Sequence, residues 1–330
     1  MNLRPVERPS LGIDIGGTKT RAVVLDPQRR VLAERLRRTE TGEAGVVATA
    51  LAAAEDCLQL AGLAASELDA VGVGIPGRVD HRTGVVSTAV NLGIVRLELG
   101  ATLSAALHVA VHVENDVKAT ALGAADYLGT AGSDLTYLNI GTGVASATLL
   151  GGRLVRGQGN LAGEIGHVPV DPSAGRCACG QVGCLEVLAG GGQIVRRLEA
   201  SGSSLTLRSL LGAAESGDRF AAAESLRIAG GLATAVQLVV AAFGSPRVAL
   251  GGGVLNTAPG LFELTGRLLT ERAAHSDFLA SMELPARIAL LPAAHPLAAI
   301  GAALAGHTSL APSPWGRPAR MEAAPHERQP

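Results

Sequence analysis

Leu11-Gly-Ile-Asp-Ile-Gly-Gly-Thr-Lys-Thr-Arg-Ala-Val-Val-Leu-Asp26 reads as a strand, a tight Gly-Gly turn and a second strand, with Pro27-Gln28 and a third strand at Val31 behind it. It opens a hairpin meander. Strand and helix then alternate: Val46 to Ala61 carries Ala and Leu at helical spacing, and Ala70-Val-Gly-Val-Gly-Ile75 is a short buried strand stopped by Pro76-Gly77. A strand from Val109 to Glu114 and a helix from Val117 to Tyr127 follow. The meander layout returns between Asp134 and Val155, with turns at Gly141-Thr-Gly143 and Gly151-Gly152. Two halves that each begin with a Gly-turned hairpin point to a duplicated α/β domain with a cleft between, the second half opening near Leu128.

The rest of the chain reads as mostly helical. Helices are expected over Gln193 to Ala200, Leu205 to Ser216 and Arg219 to Phe243, then a strand from Arg247 to Leu250 running into Gly251-Gly-Gly253. A last helix is expected from Pro296 to Gly306. The remainder, 307–330, is rich in Pro, Ala and charge from Ser309 onward and reads as a disordered tail.

At 330 residues the chain suits two lobes of ordinary size. A formal net charge of -1 supplies no electrostatic footprint for nucleic acid or an anionic membrane, so neither is expected as a partner. Met1 to Pro9 lacks the apolar core of a signal peptide, which points to the cytoplasm. The longest apolar run, Gly230 to Phe243, is about 14 residues against the roughly 18–20 that a bilayer needs, and reads as a buried helix.

Five groups of residues can carry chemistry. In Asp14-Ile-Gly-Gly-Thr-Lys19, Gly16 and Gly17 let backbone N–H groups approach an anion, Thr18 adds a hydroxyl, and Asp14 can hold a magnesium ion through water. Apolar, β-branched residues follow it, so it is neither a P-loop nor a Rossmann turn; the same letters also serve a plain hairpin. Gly141-Thr142-Gly143 is a second cradle of the same kind, and Gly251, Gly252 and Gly253 are small enough for a flat base to lie against the backbone. Glu114-Asn115-Asp116 stands where a strand passes into a helix, the usual ligand edge of an α/β sheet. Asp116 there is either a base for a hydroxyl proton or a helix cap, and one amide between two carboxylates suits a polyol.

The fifth group is Cys177-Ala-Cys179-Gly-Gln-Val-Gly-Cys184-Leu-Glu186, with Gly163-Glu-Ile-Gly-His167 upstream. Cys3His is a standard structural zinc set with no open position, so the metal would shape the site and leave the chemistry to others. Buried free thiols are the alternative. Cys57, on an Ala-rich helix, reads as core.

In this order the motifs resemble the ROK family of sugar kinases and sugar-responsive repressors over about residues 11–306, above all Glu164-Ile-Gly-His167 followed by the Cys177, Cys179, Cys184 and Glu186 pattern. The resemblance implies an α/β fold of two ribonuclease H-like lobes, as in actin-like ATPases and sugar kinases, closing on ATP and a hexose. It implies lobes at 1–117 and 118–295, a zinc loop at 167–186 and a helix at 296–306 returning to the first lobe. Asp116 is then the base for transfer of the γ-phosphoryl group, most simply from ATP to glucose. N-acetylmannosamine, N-acetylglucosamine, fructose, mannose and allose are the alternative acceptors. By resemblance, Gly77, Asn91, Asn115, Glu164, His167 and Glu186 match sugar-binding positions. Asp14, Gly16, Gly17, Thr18, Lys19, Gly141, Thr142, Gly143, Gly251, Gly252 and Gly253 match the ATP side, and His167, Cys177, Cys179 and Cys184 the zinc. The cofactors implied are ATP, Mg2+ and structural Zn2+, and the assembly a homodimer or homotetramer.

This chain departs from the family pattern at Val144-Ala-Ser146, around Asn91-Leu-Gly93, and at Lys118 and Thr120, where small or amide residues are usual. A repressor of the same family would carry a helix-turn-helix module of some tens of residues ahead of Asp14, where only a short leader stands, so the kinase is the expected class.

Overall fold

Gly16 and Gly17 reverse the chain between two apolar, β-branched segments, β1 (Ser10–Ile15) and β2 (Lys19–Leu25), and β3 (Val31–Arg38) adds antiparallel to β2. The computed structural model describes residues 7–307. After α1 (Glu43–Ala61), β4 (Ala70–Ile75) joins parallel to β1. A small antiparallel sheet follows, of β5 (Arg78–Asp80), β6 (Val85–Ala89) and β7 (Ile94–Leu97), then α2 (Leu99–Leu107) and β8 (Val111–Asn115), which lies parallel to β4.

Past α3 (Asp116–Tyr127) the pattern starts again with β9 (Leu135–Ile140), β10 (Val144–Leu150) and β11 (Arg153–Leu154). Next come α4 (Leu185–Ala189), α5 (Gly191–Ala200), α6 (Leu210–Glu215), α7 (Arg219–Phe243) and β12 (Val248–Gly251). The last elements are α8 (Gly253–Thr257), α9 (Gly260–Ala274), α10 (Asp277–Ser281), α11 (Leu284–Arg287), β13 (Ile288–Leu290) and α12 (Leu297–Gly306).

The two large sheets have orders β3-β2-β1-β4-β8 and β11-β10-β9-β12-β13, with matching strand directions. This is the duplicated, two-lobed ribonuclease H-like arrangement, with the cleft between the sheets. Asp14 pairs with Arg21 and Gly74, and Asn139 pairs with Ala145 and Gly251 at the equivalent place. The two Gly-rich turns are therefore structural counterparts.

One apolar cluster joins the first sheet to α1 and α2, and another joins the second sheet to α5, α7 and α9. A third, built on α3 and α12, packs against Val23 and Leu25 of β2 and against Tyr137 and Leu149 of the second sheet. α12 lies directly on β1 and β4, where a methyl group added at Gly12 or Gly72 would collide with the Ala299 or Ala302 carbonyl oxygen. α1 and α7 are long and apolar enough to cross a bilayer by length and composition. In this fold they turn Ala50, Ala53 and Cys57, and Ile228, Leu232 and Val236, into the core.

The helix expected from Leu205 forms only from Leu210. Thr206 and Ser209 bond each other's backbone N–H groups through their side chains, at 3.0 and 3.3 Å, and hold a turn there instead. The strand expected from Val109 begins at Val111, because His108 takes a left-handed φ of 55° at the end of α2. His307 closes α12 and pairs with Asp69 at 3.3 Å; the rest of the tail expected at 307–330 lies outside the described residues.

Candidate active site between the two sheets

β1, β4 and β8 run parallel, so their carboxyl ends present Gly16-Gly17, Gly77 and Asp116 along one edge. β9 and β12 do the same for Gly141 and Gly251 in the second sheet. The Asp14 carboxyl is pushed up to about 7, first by burial and then by the charge of Asp116, with Arg21 opposing. Asp116 is also raised by burial, against hydrogen bonds from the Val117 backbone and Asn115 and the charge of Lys118. The two acids therefore interact within the cleft.

Asn115 organises the helix start. Its Oδ1 accepts from the N–H groups of Val117 and Lys118, while its Nδ2 donates to Asp116 Oδ1 at 3.0 Å and to the Gly77 carbonyl at 3.4 Å. Asp116 is thus not the cap. The neighbouring amide performs that task and leaves the carboxylate at the mouth of the helix. Gly77 makes its turn with φ 101°.

Thr18 and Lys19 are exposed at the first turn, and Asn91 backs onto Gly17. In the second turn the Gly141 N–H donates to the Gly143 carbonyl, and the carbonyls of Gly141 and Thr142 accept from Gly191 and Gly192 at the start of α5. Glu186 is turned toward this turn: its Oε2 accepts from Val144 N–H at 3.1 Å and occupies the space a side chain at Gly143 would need. Gly252, with φ 104°, and Gly253 continue from β12 into α8.

Three residues with no role assigned from sequence join the site. The Tyr137 hydroxyl donates to Asn139 Oδ1 at 3.1 Å beside Gly251. Its pKa is raised by burial and then by the charges of Asp116 and Asp14, which puts it within electrostatic reach of both acids. Arg156 pairs with buried Glu114 at 2.8 Å, and buried Lys118 donates to the Asn160 carbonyl at 3.1 Å. β9 is buried on both faces, so no alternation in its sequence singles out the tyrosine, and the partners of Arg156 and Lys118 are far off in the chain.

The donor atoms of His167, Cys177, Cys179 and Cys184 all lie within 4.8 Å of one another. Cys177 Sγ stands 3.7 Å from His167 Nδ1, and Cys179 Sγ 3.6 Å from Cys184 Sγ. These match the edges of a tetrahedron, about 3.8 Å for zinc–sulfur bonds of about 2.3 Å, and are far too long for a disulfide. The set fits zinc. Gln181 donates to Cys179 Sγ and to the His167 carbonyl, at 3.4 and 3.1 Å, tying the loop around the donors.

The ROK family model matches residues 10–304. The chain belongs to the ROK family. A ROK hexokinase from Thermus thermophilus is 32% identical with TM-score 0.77, covering 91% of this chain and 98% of that one. A ROK family glucokinase from Streptomyces griseus, solved with glucose and AMPPNP, is 26% identical with TM-score 0.72, covering 90% and 99%. An N-acetylmannosamine kinase from Escherichia coli is 30% identical over 82% of this chain and 92% of its own. The fold of this ROK protein is that of the family's sugar kinases.

Proposed function

We propose that this ROK protein transfers the γ-phosphoryl group of ATP to a hexose, most simply glucose to glucose 6-phosphate. The observation that carries this reading is the placement of Asp116: partly buried at the start of α3, oriented by Asn115 and set beside Asp14 at the foot of the first glycine turn. A carboxylate whose pKa is raised by burial accepts a hydroxyl proton more readily than an ordinary one. The sugar oxygen loses its proton to Asp116 and bonds to the γ-phosphorus as the bond to the ADP oxygen breaks. Positioning and charge stabilisation supply most of the acceleration.

On this reading the turns at Gly16-Gly17-Thr18-Lys19 and Gly141-Thr142-Gly143 cradle the phosphates, Asp14 holds Mg2+ through water, and Gly251 to Gly253 line the base. Gly77, Asn91, Asn115, Glu164, His167 and Glu186 form the sugar side. His167 turns Nδ1 to the cysteines, which leaves Nε2 for the sugar. Zinc, when bound, fixes the loop that carries His167 and Glu186. The lobes divide at 117/118, the chain works in the cytoplasm, and it assembles as a homodimer or homotetramer.

N-acetylmannosamine stands beside glucose as an acceptor to test because of the 30% identical relative. Sugar-dependent release of ADP, lost in Asp116→Asn, tests the reading; ADP release without sugar would contradict it.

A further inference from the structure

The segment from Arg156 to Gly166 leaves the second sheet and straps the two lobes together. On its own side the Gly163 carbonyl accepts from Ser146 N–H at 2.8 Å, and Gly166 lies so close to the Val144 carbonyl that no side chain fits. On the other side three contacts reach the first lobe and a fourth reaches α3. Arg156 pairs with Glu114 at 2.8 Å, Arg78 Nε donates to the Gly159 carbonyl at 3.4 Å, Asn160 Nδ2 donates to the Val79 carbonyl at 3.0 Å, and Lys118 Nζ donates to the Asn160 carbonyl at 3.1 Å.

Lys118 is the unusual member. Only 3% of it is exposed, and an ammonium so buried costs stability unless acids surround it. Glu114, Glu164 and Asp116 supply those charges, with Arg156 opposing. Lys118 follows Asp116 by two places, so it leaves α3 on a different face from the carboxylate. Its contact is with the strap, at Asn160, whose backbone is held left-handed at φ 63°. Glu164 lies farther along the same strap.

We infer that Lys118 is a positioning residue for the sugar subsite: by holding the Asn160 carbonyl it fixes the strap that carries Glu164 to the helix that carries Asp116. The acceptor hydroxyl is thereby brought against the base. This rests on the reading of Asp116 as base and Glu164 as sugar contact.

The test uses the full chain in steady-state assays with sugar and ATP varied separately, alongside calorimetric titration of sugar. Lys118→Met, of similar volume but without charge or donor, is expected to raise sugar KM about tenfold or more, since small misplacements at a reacting centre are costly. ATP KM should stay within about threefold, and Lys118→Arg, which restores a cation and donors, should recover most of the loss. Asn160→Gly keeps the left-handed backbone and removes only the clasp to Val79, so it should weaken sugar binding in the same direction even if Lys118→Met folds poorly. Sugar KM within about twofold of wild type in both Lys118→Met and Asn160→Gly, or equal rises for sugar and ATP, would overturn the inference. Asp116→Asn measured in parallel separates the two claims: if it turns over normally, the functional reading fails and this inference with it.

Discussion

Asn115 donates from Nδ2 to Asp116 Oδ1 across 3.0 Å while its own Oδ1 receives the N–H groups of Val117 and Lys118 at 3.1 and 3.2 Å. One amide thus begins the helix and aims the carboxylate that stands on its first turn. Replacing it with alanine should lower stability by about 1 kcal/mol, the usual cost of a lost cap, and also lower kcat/KM. Asn115→Asp keeps the cap, so its melting temperature should remain nearer wild type. It sets a second negative charge against Asp116, which raises the pKa of the base and moves the acid limb of the rate profile to higher pH. Thermal melts and pH–rate profiles of both variants check the pair.

The raised carboxyl of Asp14 has a signed consequence for stability. An unfolded Asp loses its proton near pH 4, whereas Asp14 in the fold holds its proton until about 7. Between these values the folded state binds more protons than the unfolded one, so stability falls as pH rises through the window and levels off above it. Asp14→Asn should remove this share of the slope, leaving that of Asp116. Melting temperature against pH, without nucleotide, measures it; equal slopes in both proteins would contradict the assignment.

The thiol–imidazole set should hold about one zinc per chain in protein purified without chelator. Cys179→Ser, at the most exposed of the three thiols, should lower the zinc content and the melting temperature together, and so should prolonged chelation. Elemental analysis alongside melts decides it. Fresh protein without metal, yet fully folded, would sink the zinc assignment.

Packing at the helix crossing beneath the cleft is equally testable. A methyl group at Gly301 of α12 would collide with the Ala119 carbonyl of α3, so Gly301→Ala should cost about 1–3 kcal/mol or more by overpacking. Gly230, inside α7, has nothing within 4 Å of an added methyl. Gly230→Ala should instead stabilise by about 0.5–1 kcal/mol, the gain in helix propensity. Denaturant unfolding reads both.

The duplicated fold was legible where local patterns are strong: two Gly-turned hairpins, each followed by a short apolar parallel strand. It was not legible where a segment is short or polar. Arg78–Asp80, only three residues with a single buried side chain, gives no alternation to read, yet it founds the sheet of β5 to β7. α9 buries only Leu261, Thr265 and Leu269, too thin a stripe to stand out. In the site, the glycine turns, the Glu-Asn-Asp tripeptide and the cysteine cluster announce themselves within a few residues. The cap is local, and the letters leave open which of two adjacent cap-forming residues, Asn115 or Asp116, supplies it. The turn of Glu186 toward Val144 and the reach of Lys118 to Asn160 depend on tertiary approach across 42 residues. No local pattern encodes that.

A coupled assay of ADP release decides whether this ROK protein is a hexose kinase with Asp116 as its base. MgATP would be offered with glucose, N-acetylmannosamine, N-acetylglucosamine, fructose, mannose and allose in turn, with a no-sugar control and Asp116→Asn beside the wild type. ADP release is expected to require one of these sugars. In Asp116→Asn the rate should be lower by at least about 100-fold while calorimetric sugar affinity stays within about threefold. ADP release that ignores the sugar, or an Asp116→Asn protein that turns over at the wild-type rate, would contradict that reading.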